Sequence, residues 1–439
     1  MHQLVNMRWL VWTLLLISRS GAAQSALDVL NYRVRLTPHL TDQSVRGEVL
    51  IRFRITGDVP DSIAFDCGAL TLTTATHQAQ PLPYSVHDRR VWLAVGDLSP
   101  ADSLYEVALA YHGTPPAGIR FFPAREQVYT VFSTSQWMVC VDAPDDKATF
   151  ELALAVPTHW QTVGNGALLR TETLPDGTAL HTWRQDAPVS TYLFGFAAGP
   201  FQQQTWPAGQ TQLRFLTDSL SKAEVRQVFA TTGDILHFFE EKAGVPYPDS
   251  VYTQVLAAGR VAQEMSSFAV MRESYGPDAL ADAQAIWLSA HELAHQWWGN
   301  GVTCADWAHF WLNEGMANFM TAAYKEHRFG RAAYAQEIEV SRAAYEKVKA
   351  AGHDRALVFP DWNHPSADDR TLVYNKGAYV LHLLRQELGD ARFWKALRAY
   401  TQTYFGQSVT TVEFQRAMER ASGRKLQAFF DRWVYHPQN

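Results

Sequence analysis

The chain has 439 residues, of which 47% are hydrophobic and 19% are charged, and its formal net charge is −6. This length allows two or three domains with cores of their own, and the composition is ordinary for a soluble globular protein. The mildly acidic balance argues against a nucleic-acid partner, because phosphate backbones are bound by surplus Lys and Arg. The sequence gives no indication of the oligomeric state.

The first predicted element is a secretory signal over residues 1–23. Arg8 precedes the apolar run Trp9–Ile17, and Gly21-Ala22-Ala23 offers small residues for cleavage. This run is too short to span a bilayer, for which about 20 residues are needed, and no other segment qualifies. We therefore expect an exported protein, periplasmic or extracellular, without stable membrane insertion.

Residues 24–205 are predicted to form a β-rich domain, a sandwich or saddle of sheets. In Glu48–Ile55, the side chains of Val49, Ile51, Phe53 and Ile55 share one face and alternate with mainly charged residues. Other short segments behave similarly and are separated by Gly, Pro and Asp turns.

The three cysteines are an odd number for an exported protein, so at least one is unpaired or pairs between chains. Cys67 and Cys140 share the predicted β-rich domain and are the candidates for a bridge. Cys304 is expected to be a core thiol.

From residue 206 the hydrophobic period changes, and residues 206–439 are predicted to form a mainly helical domain. A capping box at Ser221–Glu224 opens a predicted long helix that ends at Gly244. Tyr252–Ala257 and Ser267–Met271 are predicted strands. Helices dominate from residue 282, with a second capping box at Thr410–Glu413.

The most informative stretch is HELAH at 291–295, followed by NEG at 313–315. On a helix, His291 and His295 lie one turn apart on one face, where both can bind one Zn²⁺, and Glu292 can act as a general base. Glu314 is positioned to supply a third ligand from a following helix. Two His and one carboxylate leave a position open for water, which is typical of a catalytic zinc site.

The alternative is that these His are ordinary surface residues of an amphipathic helix. The predicted helix Ala283–Trp298, with Asp282 as its cap, is apolar almost all round and is therefore expected to be buried. Two His and a Glu are costly in a buried helix unless a partner such as a metal pairs with them.

The segment HELAHQWWGNGVTCADWAHFWLNEGMANFMTAAY, from His291 to Tyr324, resembles the catalytic core of the M1 family of zinc aminopeptidases, the gluzincins. Eighteen residues separate His295 from Glu314, as in the family's HExxH-x18-E pattern. Further downstream, YNKG at 374–377 matches the family's YxKG element, which implies that Tyr374 stabilises the oxyanion. Segments of the N-terminal half also occur in family order, so the resemblance covers nearly the whole mature chain.

Upstream, VAQEMSSFAVMRES at 261–274 falls where the family has its GxMEN element. The resemblance implies that Glu264 binds the free amino terminus of the substrate. This element departs from the family pattern, since Val261, Gln263 and Met265 replace the Gly, Met and Asn. We therefore expect a loop of different shape near the bound substrate.

The resemblance implies an α+β multidomain fold, in which the N-terminal β-sandwich or saddle precedes a thermolysin-like, mainly helical catalytic domain. It places Ser267–Met271 as an edge strand beside the zinc helix. The chain is expected to be a short form that lacks the helical C-terminal domain of larger members. His309 is expected either to pack in the core or to orient a ligand.

The leading functional hypothesis is an exported aminopeptidase with one Zn²⁺ per chain and peptides with a free amino terminus as substrates. One alternative is a zinc endopeptidase or oligopeptidase with a relaxed need for that amine, because the loop around Glu264 is altered. The other is a non-catalytic peptide-binding protein on the same fold, although the expected ligands and the base are all present.

Overall fold

The computed structural model describes residues 27–56, 60–96, 104–359, 362 and 365–437. The predicted secretory signal, residues 1–23, lies outside the described residues. Within them, no helix combines the length and the apolar character that a membrane crossing requires.

The first half of the described chain is β-rich, as predicted. Its strands are β1 (Leu27–His39), β2 (Ser44–Ile55), β3 (Ser62–Asp66), β4 (Thr71–His77), β5 (Gln80–Pro81), β6 (Tyr84–His87), β7 (Arg90–Ala94), β8 (Tyr105–Gly113), β9 (Ile119–Phe122), β10 (Gln127–Thr130), β11 (Lys147–Pro157), β12 (Gln161–Gly164), β13 (Ala167–Thr173), β14 (Thr178–Ser190) and β15 (Phe196–Gly199). They form sheets of eight strands (β13-β14-β11-β1-β2-β8-β4-β5), four strands (β12-β15-β10-β9) and three strands (β3-β7-β6).

Alternation along β2 shows why these segments form strands. Val49, Ile51 and Phe53 are buried, whereas the charged residues that alternate with this face, Arg52 and Arg54, are exposed, so that one face of the strand contributes to the core. Cys67 and Cys140 are buried in the same core and are not bridged, and Cys304 is a buried free thiol in the second half.

The second half is mainly helical. Its elements are β16 (Gln202–Ala208), β17 (Thr211–Thr217), α1 (Lys222–Val228), α2 (Thr232–Ala243), β18 (Val251–Ala257), β19 (Gln263–Met265), β20 (Phe268–Arg272), α3 (Tyr275–Ala281), α4 (Trp287–Ala294), β21 (Thr303–Cys304), α5 (Trp311–Phe329), α6 (Arg331–Ala350), α7 (Ala367–Thr371), α8 (Gly377–Leu388), α9 (Asp390–Tyr404), β22 (Ser408–Val409), α10 (Thr411–Ser422) and α11 (Gln427–Phe430). Two π-helical turns, Leu372–Lys376 and Asp431–Tyr435, follow α7 and α11. Five strands form one sheet, in the order β16-β17-β18-β20-β19, and β21 pairs with β22.

Two sequence predictions about helices are corrected. The helix predicted from Ser221 to Gly244 is two helices, because the first helix ends at Val228 and the second begins at Thr232. Ser221 forms the predicted capping box, and Gly244 ends α2 with φ 66°. The metal-site helix is shorter than predicted. The side chain of Asp282 accepts a hydrogen bond from the Gln284 N–H in a turn before the helix, so it does not cap α4.

The edge of the five-stranded sheet also differs from the expectation. β20 has neighbours on both sides, and β19 occupies the edge, because the chain reverses at Ser266-Ser267 and pairs Glu264 with Ala269. The α4 helix lies against this part of the sheet, where the Ser289 hydroxyl donates to the Gln254 side chain on β18. The sheet and α4 therefore pack against each other as two layers.

Candidate metal centre and active site

Three side chains converge from α4 and α5. The Nε2 atoms of His291 and His295 lie 3.1 Å apart, and Oε2 of Glu314 lies 3.3 Å and 3.5 Å from them. All three residues are buried, and their ligand atoms lie within 4.8 Å of one another. The structure thus brings together the three predicted metal ligands.

The convergence follows from how the two helices pack. Leu288–Ala294 on α4 is buried throughout, as the all-round apolar sequence of this helix predicts, and Trp311–Tyr324 on α5 is buried as well. His291 and His295 are one turn apart at the end of α4, and Glu314 lies in the first turn of α5. Each helix therefore fixes its ligands through its own core packing.

A backbone carbonyl orients the imidazole of His295. Nδ1 of His295 lies 3.1 Å from the Trp298 carbonyl oxygen, which can only accept, so Nδ1 carries the proton and Nε2 is left for a metal. Asn318 follows Glu314 by one turn of α5. Burial lowers the pKa of His291, and its interactions with Glu314 and Asn318 act in the opposite direction.

The electrostatics favour a cation among these ligands. Burial alone would raise the pKa of Glu314, but His295 and His291 outweigh it and lower the pKa to about 2. Burial alone would lower the pKa of His295, but the carboxylates of Glu264, Glu314 and Glu292 raise it to about 10. A positive charge is therefore stabilised at this point in the buried cluster.

The donor set fits zinc. In a tetrahedral zinc site with bonds of about 2.0–2.2 Å, ligand atoms lie roughly 3.3–3.6 Å apart, close to the separations of 3.1–3.5 Å found here. Oε2 of Glu314 is buried and has no hydrogen-bond partner among the described residues. One carboxylate and two imidazoles are also the ligands that zinc accepts.

Glu292 and Glu264 are the two other buried carboxylates at this centre. Burial raises the pKa of each, while the charge of His295 acts in the opposite direction. Oε2 of Glu292 and Oε1 of Glu264 have no hydrogen-bond partner among the described residues. Each carboxylate therefore keeps one oxygen free for a ligand.

Tyr374 lies in the π-helical turn Leu372–Lys376, within the region where the sequence predicts mainly helices. Its ring is nearly parallel to that of His291, with centroids 6.0 Å apart. Burial and the carboxylates of Glu314, Glu264 and Glu292 raise its pKa well above the ordinary value. The phenol is therefore protonated and available as a hydrogen-bond donor at the centre.

The hairpin of β19 and β20, which carries Glu264, is stabilised by a side chain from the second half of the chain. Gln296, which follows the ligand His295, donates from Nε2 to the Met265 carbonyl and accepts from the Ser267 N–H. Ser267 has φ 71°, a left-handed conformation that is unusual for a residue with a side chain. Gln296 thus stabilises the turn and places Glu264 beside α4.

The same turn is held from the N-terminal half. Nδ2 of Asn165 donates to the Ser266 carbonyl, and the Gly166 N–H donates to Oγ of Ser267 at 2.6 Å. Glu264 is therefore positioned by both halves of the chain.

Sequence reasoning missed several residues of this neighbourhood. Asn318 could have been found from its spacing, since it lies four residues after Glu314 on one helix face. Gln296 and Asn165 act through distant backbone groups, and no local pattern indicates such contacts. His309 does not orient a metal ligand: its Nδ1 lies 3.0 Å from Oγ1 of Thr411, at the start of α10.

Family models account for most of the described chain. Residues 29–193 match the "Peptidase M1 N-terminal domain" and residues 228–433 match the "Peptidase family M1 domain". The chain belongs to the M1 peptidase family. This confirms the resemblance seen in the sequence, and with it the order of a β-rich domain before a helical catalytic domain.

Curated M1 relatives are longer than this chain. Aminopeptidase M1-A of Oryza sativa subsp. japonica is 30% identical over 311 residues, which cover 67% of this chain and 35% of the relative. Aminopeptidase N of Lactococcus lactis subsp. lactis is 28% identical over 345 residues, which cover 71% of this chain and 39% of the relative. The chain thus matches little more than a third of the length of these relatives.

Solved M1 structures match over nearly the whole length of both chains. A two-domain M1 zinc metallopeptidase bound to L-tryptophan has a TM-score of 0.80 at 24% identity, covering 95% of this chain and 96% of that one. An M1 zinc metallopeptidase from Deinococcus radiodurans bound to a Tyr-Ser-Ala substrate has a TM-score of 0.78 at 24% identity, with the same coverage. This likeness shows that the two-domain M1 fold is shared.

Proposed function

We propose that this chain is an exported zinc-dependent aminopeptidase, with His291, His295 and Glu314 as the metal ligands. The observation that carries the proposal is Glu264, a buried carboxylate on an edge strand beside these ligands, with one oxygen free. Curated relatives are named aminopeptidases, and a fold neighbour was solved with a tripeptide substrate. The apolar run Trp9–Ile17 supports export.

In this proposal Glu264 sets the position of the substrate. Gln263 Nε2 donates to Oε2 of Glu264 at 2.6 Å, which leaves Oε1 for the α-ammonium of a peptide. A buried ion pair of this kind fixes which bond lies over the metal ligands, and holding the reactants in place lowers the barrier. An extended peptide can add to the free edge of β19 through main-chain hydrogen bonds.

The remaining groups carry the proton and stabilise charge. A zinc ion in such a site supplies Lewis acidity, which activates water and polarises a carbonyl group. Glu292, whose raised pKa suits it to hold a proton, accepts the proton of the attacking water and passes it to the leaving amine. The Tyr374 hydroxyl donates to the carbonyl oxygen as negative charge develops on it, a contribution of about 3 kcal/mol for such a donor.

The decisive experiment compares one peptide with its N-acetylated form, using zinc-loaded mature protein. We expect that only the free amine is cut, and that Glu264→Gln lowers kcat/KM by roughly 10- to 100-fold, the loss of one charged hydrogen-bonded contact. The exposed Glu241→Gln on α2 is the matched control. A panel of aminoacyl-coumarin substrates then identifies the preferred first residue.

Two outcomes would contradict the proposal. Equal cleavage of both peptides would favour the endopeptidase or oligopeptidase alternative, in which Glu264 does not anchor an amine. No cleavage of any peptide by zinc-loaded protein would favour a peptide-binding protein.

A further inference from the structure

A cavity of about 310 Å³ lies next to Tyr374, outside the cluster of metal ligands. Its lining includes Trp287, Asn318, Ser341, Arg370, Tyr374 and Asn375. We propose that this cavity binds the terminal carboxylate of short peptide substrates through Arg370, so that the enzyme favours peptides that end soon after the scissile bond. This inference rests on the proposed aminopeptidase function and specifies its substrate class.

The cavity shares walls with the candidate metal centre. The Trp287 ring is stacked on the His291 ring with centroids 4.7 Å apart, and Tyr374 is nearly parallel to the same imidazole at 6.0 Å. The lining comes from α4, α5, α6, α7 and the π-helical turn, and none of it comes from the sheet that carries Glu264. A substrate with its amine at Glu264 and its carbonyl at Tyr374 can therefore extend into the cavity.

The exposed Arg370 guanidinium makes no ion pair or hydrogen bond with any described residue; the backbone N–H of Arg370 donates to the Ser366 carbonyl within the helix. The acidic residue of the lining, Glu337, is paired with Lys325. The charge available to a ligand at this wall is therefore positive.

The carboxylates next to Arg370 in the chain are also engaged. Oδ2 of Asp368 lies 2.6 Å from Nδ1 of His353. Asp369 accepts from the backbone and hydroxyl of Ser366 and lies 3.3 Å from the Arg355 guanidinium. Because these carboxylates have other partners, the Arg370 guanidinium is available to bind a carboxylate of a ligand.

The spacing of Arg370 and Tyr374 suits a short substrate. The two residues are four apart on one continuous helical stretch, and both side chains line the cavity. An extended peptide advances about 3.3 Å per residue. The carboxylate of the first or second residue after the scissile bond therefore comes within reach of the guanidinium, which binds carboxylates through two parallel hydrogen bonds.

The test measures kcat/KM for Leu-Gly-Gly and for its C-terminal amide. We expect the wild type to prefer the free acid by about tenfold, the size of one charged hydrogen-bonded contact, and Arg370→Ala to bring the ratio close to one. Arg370→Lys keeps the charge without the planar fork and should give an intermediate ratio. The exposed Arg416→Ala on α10 is the matched control and should keep the wild-type ratio.

The preference of the wild-type protein should also weaken as salt is raised, because a partly exposed ion pair is screened; this readout needs no variant. A wild-type ratio near one, or an unchanged ratio in Arg370→Ala, would overturn the carboxylate site while leaving the aminopeptidase proposal intact. Failure to cut both peptides and every aminoacyl-coumarin would overturn the proposed function itself, and the carboxylate site with it.

Discussion

Single residues at the candidate centre differ in charge because their surroundings differ. Glu314 lies against two imidazoles, which hold its pKa at about 2, and it is therefore an anionic candidate for a metal ligand. Glu292 is equally buried, and burial raises its pKa well above the ordinary value. Two carboxylates in one cluster are thus suited to different tasks, one to bind a metal and one to carry a proton.

Glu292→Gln tests this division at the residue scale. The amide has nearly the same shape but cannot accept a proton as the carboxylate does, so we expect kcat to fall by about 10²–10⁴, the usual contribution of a general base. Zinc content, measured by mass spectrometry, should stay at one per chain, because His291, His295 and Glu314 are unchanged. The exposed Glu346→Gln on α6 is the control, and near-normal turnover in zinc-loaded Glu292→Gln would place the base elsewhere.

The convergence of the three candidate ligands could be predicted from the sequence, because helical spacing alone brings His291 and His295 together and a motif spacing supplies Glu314. Contacts between distant segments could not be predicted. The hydrogen bond from Gln263 to Glu264 and the free guanidinium of Arg370 depend on side-chain placement that no periodicity reports.

At the scale of elements, two glycines allow helix α5, which carries Glu314, to approach the segment that carries Tyr374. A Cβ added to Gly315 would lie 2.8 Å from Cα of Gly377, and a Cβ on Gly377 would lie 2.9 Å from Cα of Gly315. Because both neighbours are backbone atoms, neither can move aside without shifting a helix. The close approach of the glycines in the NEG and YNKG motifs thus fixes the separation between Glu314 and Tyr374.

Gly315→Ala is predicted to damage both stability and metal binding. The methyl group would force α5 away from α8 at a cost of about 1–3 kcal/mol, as for other overpacked cores, and Glu314 would move with the helix. Urea unfolding of the metal-free protein and zinc titration measure the two effects. Gly233→Ala on α2 is the matched control, because its Cβ would meet nothing closer than 3.4 Å and alanine favours a helix. If Gly315→Ala bound zinc with the affinity of the wild type, the argument would be contradicted.

Element boundaries were less predictable than element types. The helix predicted over residues 283–298 is α only from Trp287 to Ala294, because turns flank it on both sides. The π-helical turn at Tyr374 breaks the regular 3.6-residue period and gives no signal in the hydrophobic pattern. The division of the chain at residues 205 and 206 stays a prediction.

At the scale of the whole molecule, the two halves meet through an apolar cluster and through polar contacts. Arg125 binds Asp218 and Glu273 across the interface, at 2.7 Å and 2.9 Å. Near the metal-site helix, Nζ of Lys147 on β11 donates to Oγ1 of Thr303 at 2.7 Å. Burial lowers the pKa of Lys147 to about 7, so the interface contains an amine that the folded state prefers to keep neutral.

The lowered pKa of Lys147 implies that the stability of the protein depends on pH. Between pH 7 and pH 10 the unfolded chain binds more protons at Lys147 than the folded chain does, so its contribution to the free energy of unfolding rises with pH over that window. Lys147→Met lacks this titration. We therefore expect the unfolding free energy of the wild type, relative to Lys147→Met, to increase from pH 7 to pH 10 in urea denaturation.

The exposed Lys222→Met is the control and should follow the wild-type curve across this range. Parallel curves for the wild type and Lys147→Met would show that Lys147 keeps its ordinary pKa in the folded protein.

The hairpin turn at Ser266-Ser267 has a consequence for how such a protein can change over time. Asn165 and Gly166 hold this turn from one half of the chain and Gln296 holds it from the other. A gene fusion that exchanged the first half for that of a distant relative would therefore shift Glu264, the proposed anchor of the substrate amine, without altering any residue of the second half. Substitutions at the turn and at residues 165 and 166 are therefore expected to accumulate together.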